Sequence, residues 1–588
     1  MAAPLLRHSA SHTAPPPAAT ALRANRWQHA CSPVNLTYNT ARREAPVPVA
    51  AAAGEAQPSA GSSLAEAAAT PLLDAVLERG GRASDVPFHV PGHKRGTSTP
   101  PWLSHMLGGA LRYDLTELDG LDVLSTPSGP IAAAQHAAAA TWGADATWFL
   151  VNGTTGGIHA AVMATRGPGD ALIVARNAHL SAFNAMVLAG CTPVWAQPSM
   201  DPGLGVAHAL TPAALEAAFW QAAARGLRVG AALVVSPTYF GVVSDVAGLA
   251  AVCHAHGVPL LVDEAHGAHL GLHPELPPSA LQAGADLAVQ STHKQLSALT
   301  QAAMLHVRGG RVAHQRVSRA LQVLQSSSPS YLLMASLDAA RGQAAQPAAH
   351  EASLAAAALA RRRLAALPGV RLLSVEQAAA CSTAGSGSDI LAPGGANSSS
   401  VGGIALDPLR LTLDLRRLGL SGYQAAAELE QQYGIVPELC TPTCVVLALS
   451  IGSTPEHADA LVAAVQRLSQ RHGNSSSTDN SSRSTSSRSV SLDGSPAAGT
   501  MAAVEVPETR LTPRDAFFAA SEAVQAENAI GRVSAELLCP YPPGVPVAYP
   551  GEVLTEGAVR QLRQVLRSGG TVTGCSDGSL ETLRVVVE

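Results

Sequence analysis

Between Ala110 and Ala340 the chain alternates short apolar runs with alanine-rich segments of helical length. The runs are Thr147–Val151, Ala171–Val174, Leu233–Ser236, Leu260–Val262 and Leu287–Val289. Pro130–Trp142, Pro212–Ala224 and Val246–His256 are examples of the helical segments. Strands that alternate with helices predict an α/β fold built on a mainly parallel sheet. Ligands of such sheets bind at the carboxyl ends of the strands. The residues that end these runs are therefore the first place to look for chemistry.

The remaining sequence divides around that region. Residues 1–69 form a leader whose first acidic residue is Glu44, preceded by five arginines among Ala, Ser, Thr and Pro. A basic, hydroxyl-rich, acid-poor leader reads as an organellar transit peptide, with the chloroplast favoured over the mitochondrion or the cytoplasm. Residues 70–345 are expected to form the major domain. Residues 346–471 belong to a smaller α+β region with a Gly/Ser-rich insert at 378–403. Residues 472–500 form a Ser-rich linker, and 501–588 a C-terminal domain. The insert and the linker cannot bury a core and are expected to lack regular structure.

Composition excludes several classes. A net charge of −5 leaves no basic footprint for nucleic acid. No apolar run is long enough for a membrane helix, so neither partner is expected. Eight cysteines in 588 residues do not form a disulfide framework. Cys440 and Cys444 have no second Cys/His pair at zinc spacing, so no metal is expected. Only two of the 38 basic residues are lysines, Lys94 and Lys294. Arginine does not serve as an amine nucleophile at neutral pH, which makes each lysine a candidate for amine chemistry.

Three run ends carry reactive groups. LLVDEAH (Leu260–His266) places Asp263 where a buried strand meets a cleft. A helicase reading of DEAH fails because no GxxxxGK(S/T) is present. DLAVQSTHK (Asp286–Lys294) ends the next run in a lysine, so an acid and an amine could lie at neighbouring strand ends. NGTTGG (Asn152–Gly157) is a glycine-rich turn before a helix, a form that offers backbone N–H groups to phosphate. Together they suggest a phosphorylated ring cofactor.

VQSTHKQLSALTQAA (Val289–Ala303) resembles the cofactor-attachment signature of the Orn/Lys/Arg decarboxylases, fold-type-I pyridoxal-phosphate enzymes. FHVPGHKRG, TELDGLDVLSTPSGPI, SPTYFGVVSDV, SSSPSYLLMASLD, LGLSGY and PYPPGVPVAYPGE are similar to further blocks of that family, in the same order. The length resembles the short form without a receiver-like domain.

The resemblance implies decarboxylation of lysine, arginine or ornithine to the corresponding polyamine-type amine and CO2. It implies that Lys294 binds the cofactor aldehyde and that Asp263 pairs with the ring nitrogen. His179 is implied on the ring face, with Thr154, Thr155, Ser291 and His293 at the phosphate. His266 is implied beside the ring, in contact with substrate, while His293 and Lys294 are the candidates to return a proton to the product. Glu552 and Glu438 are candidates for the substrate's cationic head, because a buried cation needs an acid. Lys94 reads as half of a structural ion pair. SSSPSY implies a subunit interface and at least a homodimer. An aminotransferase of the same fold type and a non-catalytic cofactor-binding homologue remain as alternatives.

Overall fold

The computed structural model describes residues 68–383, 400–473, 507–541, 544–567 and 569–587. The leader, apart from its last two residues, lies outside them, as do most of the insert and the linker.

Seven strands form the central sheet: β1 (Ala146–Leu150), β2 (Ala171–Ala175), β3 (Thr192–Ala196), β4 (Val229–Val235), β5 (Leu260–Asp263), β6 (Leu287–Gln290) and β7 (Ala303–Val307). Their spatial order is β1-β7-β6-β5-β4-β2-β3. The pairs from β6 to β3 are parallel. Strand β7 runs against both of its neighbours. Strands β1 and β6 therefore point the same way, and every strand but β7 ends at one edge.

Side-chain alternation builds a core on each face. Leu172 and Val174 of β2 point to one cluster, where they meet Ile158 of helix α1 (Gly153–Thr165) and Phe183 of helix α2 (Leu180–Ala189). Ile173 and Ala175 point to the other, toward Leu215 of α3 (Pro212–Ala224) and Leu249 of α4 (Val246–Ala255). The abundant alanine allows close approach. At Gly157 even a Cβ would run into Val289 and Leu150, so only glycine lets α1 sit this near the sheet.

Two strands escape simple pattern reading. β3 contains Pro193, tolerated because β3 is an edge strand. His306 interrupts the apolar run of β7. It is fully buried because Thr147 and Gln290 satisfy its two ring nitrogens, at 2.8 and 3.1 Å.

A second, four-stranded antiparallel sheet has the order β8-β9-β11-β10, from Arg371–Leu372, Arg410–Asp414, Val445–Ala448 and Leu439–Cys440 respectively. The helices Ala348–Ala365 and Pro455–Gly473 cover it. Farther along, Ser521–Gln525 pairs with Thr582–Val586 beside the helix Glu556–Arg567. The expected insert is shorter than its composition suggests. The helix Val375–Thr383 extends into it because Ala378 is fully buried, and Ser400–Val401 pairs with the strand Ile404–Leu406. Likewise His472 and Gly473 continue a helix before the linker. Among the described residues no helix is long and apolar enough to cross a membrane.

Candidate active site

The shared carboxyl edge of the sheet gathers the reactive groups. β5 ends in Asp263, which is in register with Val289 of the adjacent β6. β6 leads through Ser291 into a helical turn, Thr292–Gln295, that carries Lys294. Thr154 follows β1, and His179 follows β2 as the N-cap of α2. Thr154, His179, Tyr239, Asp263, His266 and Lys294 line one cleft.

Burial controls the charge states here. It destabilises the carboxylate of Asp263 and pushes its pKa up, while the Lys294 charge and the Ala265 N–H work against that shift. It pushes the Lys294 amine down, opposed by Asp263 and Glu438 and assisted by Arg410. His179 falls to about 4, first from burial and then from the Lys294 charge. His266 lies well below its ordinary value, from burial and then from the positive charges of Lys294 and Arg410. Its Nε2 sits 3.0 Å from Lys294 Nζ, and Tyr239 meets its ring edge-on at 4.8 Å.

The groups fit a phosphorylated ring aldehyde. Asn152, the N-cap of α1, donates its amide to Leu324 O instead of capping the helix. The first N–H groups of α1, including those of Thr154 and Thr155, are thus left for an anion. Thr154 Oγ1 lies 3.1 Å from the buried Ser291 hydroxyl, which adds polar contacts at that seat. Across the cleft, Asp263 offers a buried carboxylate able to hold a proton on a ring nitrogen, and Lys294 offers the amine.

Other expected residues lie elsewhere. Thr155 and Ser291 are beside the cleft but do not line it. His293 turns away: its Nδ1 donates to Ala302 O at 2.9 Å. Glu438 is exposed, yet its charge reaches Lys294, His293 and Arg410. Glu552 does not meet the expectation of a substrate acid. It is 1% exposed and accepts from Arg176 at 3.1 Å and from Tyr549 N at 3.0 Å. Arg176 in turn stacks on Tyr549, with its guanidinium 4.4 Å from the ring centre. Burial raises Glu552 to about 7, against the pull of Arg176. Lys94 donates to His89 O at 2.6 Å instead of forming an ion pair.

Sequence reading passed over Tyr239, Arg410 and Glu264. Arg410 begins the strand RLTLD and is 3% exposed, so an arginine opening a strand that alternates leucine with polar residues was the available signal. Glu264 is buried beside Asp263, raised to about 8 by burial, and held by Gln290 and Ala280.

Residues 70–457 match the family model "Orn/Lys/Arg decarboxylase, major domain", and 497–571 match its "C-terminal domain". The chain belongs to the Orn/Lys/Arg decarboxylase family. Members are pyridoxal-phosphate-dependent carboxy-lyases of basic amino acids, and this chain is an enzyme of that class. It is 36% identical to an arginine decarboxylase of Halalkalibacterium halodurans, over 88% of this chain and 98% of that one. The arginine decarboxylase of Bacillus subtilis gives the same three figures. A lysine decarboxylase of Pseudomonas aeruginosa is 28% identical over 85% of this chain and 76% of its own length. The solved structure of lysine decarboxylase A from Pseudomonas aeruginosa shares the fold, with a TM-score of 0.71, 22% identity, and coverage of 90% and 81%.

These relatives overturn the chloroplast address expected for the leader. They are bacterial proteins that match most of this chain, and bacteria have no plastid. Residues 1–67 themselves lie outside the described residues.

Two outcomes follow from the charges. Glu552→Ala should cost about 3–5 kcal/mol, because it leaves Arg176 buried without its acid. Urea unfolding should show that loss while KM stays unchanged; a raised KM at unchanged stability would return Glu552 to the substrate. His179 binds fewer protons folded (about 4) than unfolded (6.5), so its contribution to stability is lost as pH falls from 6.5 toward 4. Melting curves across that range should show His179→Phe losing less stability than the wild type; parallel losses would contradict the assignment.

Proposed function

We propose that the chain decarboxylates arginine to the corresponding amine and CO2. The observation that carries the site assignment is the meeting of Asp263, His266 and Lys294 in one cleft at neighbouring strand ends. The choice of arginine is supported by relatives at 36% identity named arginine decarboxylase, against 28% for one named lysine decarboxylase.

Bound pyridoxal phosphate supplies an aldehyde for the amine and a protonated ring that takes up the electron pair left at Cα as CO2 departs. Lys294 would hold the aldehyde carbon, and its burial favours the neutral, nucleophilic amine. Asp263 would keep the ring nitrogen protonated. That proton in turn relieves the cost of burying the carboxylate. His179, neutral at working pH, would lie on the ring face. Thr154, Thr155, Ser291 and the amino end of α1 would take the phosphate. His293 would support that end of the site through its hold on Ala302, leaving Lys294 as the group in the cleft that returns a proton to Cα. Glu438 would meet the substrate's cationic head at the mouth.

The same reading divides the chain into a leader (1–69), a cofactor-binding domain (70–345), a smaller region (346–471), a linker (472–500) and a C-terminal domain (501–588). It also makes the enzyme a homodimer. Phe88 is 92% exposed, Trp102 69% and Met106 68%, large apolar side chains that a second copy would cover. The exposed Ser326–Ser328 would lie in that interface.

A panel of arginine, lysine and ornithine with CO2 detection should give arginine a kcat/KM advantage of about tenfold or more. Lys294→Ala should lose both CO2 release and the visible cofactor band; keto-acid formation in place of CO2 would overturn the reading. Glu438→Gln should raise KM for arginine about two- to fivefold, the scale of an exposed charge pair, and an unchanged KM would remove that role. On gel filtration, activity should elute at twice the 59.8 kDa chain mass; an active monomer would defeat the dimer.

A further inference from the structure

The cleft is tied to the second sheet by two paired contacts. His266 and His269 both come from DEAHGAH after β5, and Asp407 and Arg410 both come from DPLR at the start of β9. His269 Nε2 lies 2.9 Å from Asp407 Oδ1. Arg410 Nη2 lies 3.0 Å from His266 Nδ1. All four side chains are buried. Asp407 also supports the guanidinium by its negative charge.

Hydrogen-bond roles then follow by elimination. Guanidinium nitrogens only donate. His266 Nδ1 must accept from Arg410 and so carries no proton. A neutral His266 therefore bears its proton on Nε2, the atom 3.0 Å from Lys294 Nζ. An N–H pointed at an amine needs a lone pair to receive it, which an ammonium group lacks. The charges of Asp263 and Glu438 favour the ammonium form. Arg410 opposes it, and burial together with the permanent charge of Arg410 keeps His266 neutral.

We propose that Arg410 is a positioning residue that fixes His266 as its Nε2–H tautomer and thereby holds Lys294 as a neutral amine. This rests on Lys294 as the cofactor lysine only for its catalytic meaning. The geometry concerns the chain without cofactor.

The two-lysine composition makes the test direct. In the full-length chain freed of cofactor, limiting acetic anhydride across pH, read by mass spectrometry, follows Lys294 with Lys94 as internal reference. The wild type should show Lys294 titrating below the ordinary lysine range. Arg410→Met removes donor and charge and should raise the Lys294 midpoint by about one unit or more. Arg410→Gln removes the charge but keeps an N–H donor, and should stay within about half a unit of the wild type. Equal shifts in the two variants would show charge acting alone and overturn the proposal, as would no shift in either. Nitrogen-15 spectra of the labelled wild type, with His266 assigned by its loss in His266→Asn, need no Arg410 variant to fold. Protonated Nε2 and bare Nδ1 are expected; the reverse pattern overturns the proposal. If cofactor proved to bind away from Lys294, the function proposed above would fall while these measurements would still decide the tautomer.

Discussion

The site depends on the parallel pairing of β5 with β6, which sets a buried acid beside a buried amine. Either group alone would cost several kcal/mol to ionise in that position. Together, at the edge where the strands end, they face a common cleft. A cofactor with a basic ring nitrogen and an aldehyde answers both at once. The ring proton would meet Asp263, and the aldehyde would take up the neutral amine of Lys294 that burial favours. On the proposed assignment, catalytic chemistry would follow from solving a burial problem.

The same logic recurs away from the cleft. Arg176 and Glu552 join the β2 edge to the C-terminal region. Asp338 and Arg341 pair without exposure, and Asp338 also accepts the N–H groups of Leu72 and Leu73, fastening the start of the helix Pro71–Gly81. His269 and Asp407 join the second sheet to the loop after β5. Buried pairs of this kind are weak evidence for added stability, since desolvation offsets much of their attraction. Their effect is geometric, because each has one arrangement that leaves no charge unmatched. In this chain those arrangements hold separate regions around one cleft.

Much of this was legible before the fold was known. The alternation of apolar runs and alanine-rich segments gave the sheet, and run ends marked Asp263, Lys294 and the turn at Asn152. Local pattern carries that information because strand length and helix length are set by burial. Partners distant in sequence were not legible. Glu552 read as an acid for a cation, and it is one, but its cation is Arg176, 376 positions earlier. Arg410 gave no local hint of His266, 144 positions away. Pro193 and His306 hid two strands whose polar or imino groups are accommodated only by edge position or by buried partners. The leader's composition suggested an address that the bacterial relatives overturn, since a basic, acid-poor tail carries no unique physical instruction.

The central claim is that Lys294 bears the cofactor. Borohydride reduction of the holoenzyme, followed by peptide mapping, would fix the cofactor to whichever lysine binds it. Only Lys94 and Lys294 are available to carry the label. The pyridoxyl group should be found on Lys294, with Lys94 unmodified; label on Lys94, or on neither lysine, would contradict the account.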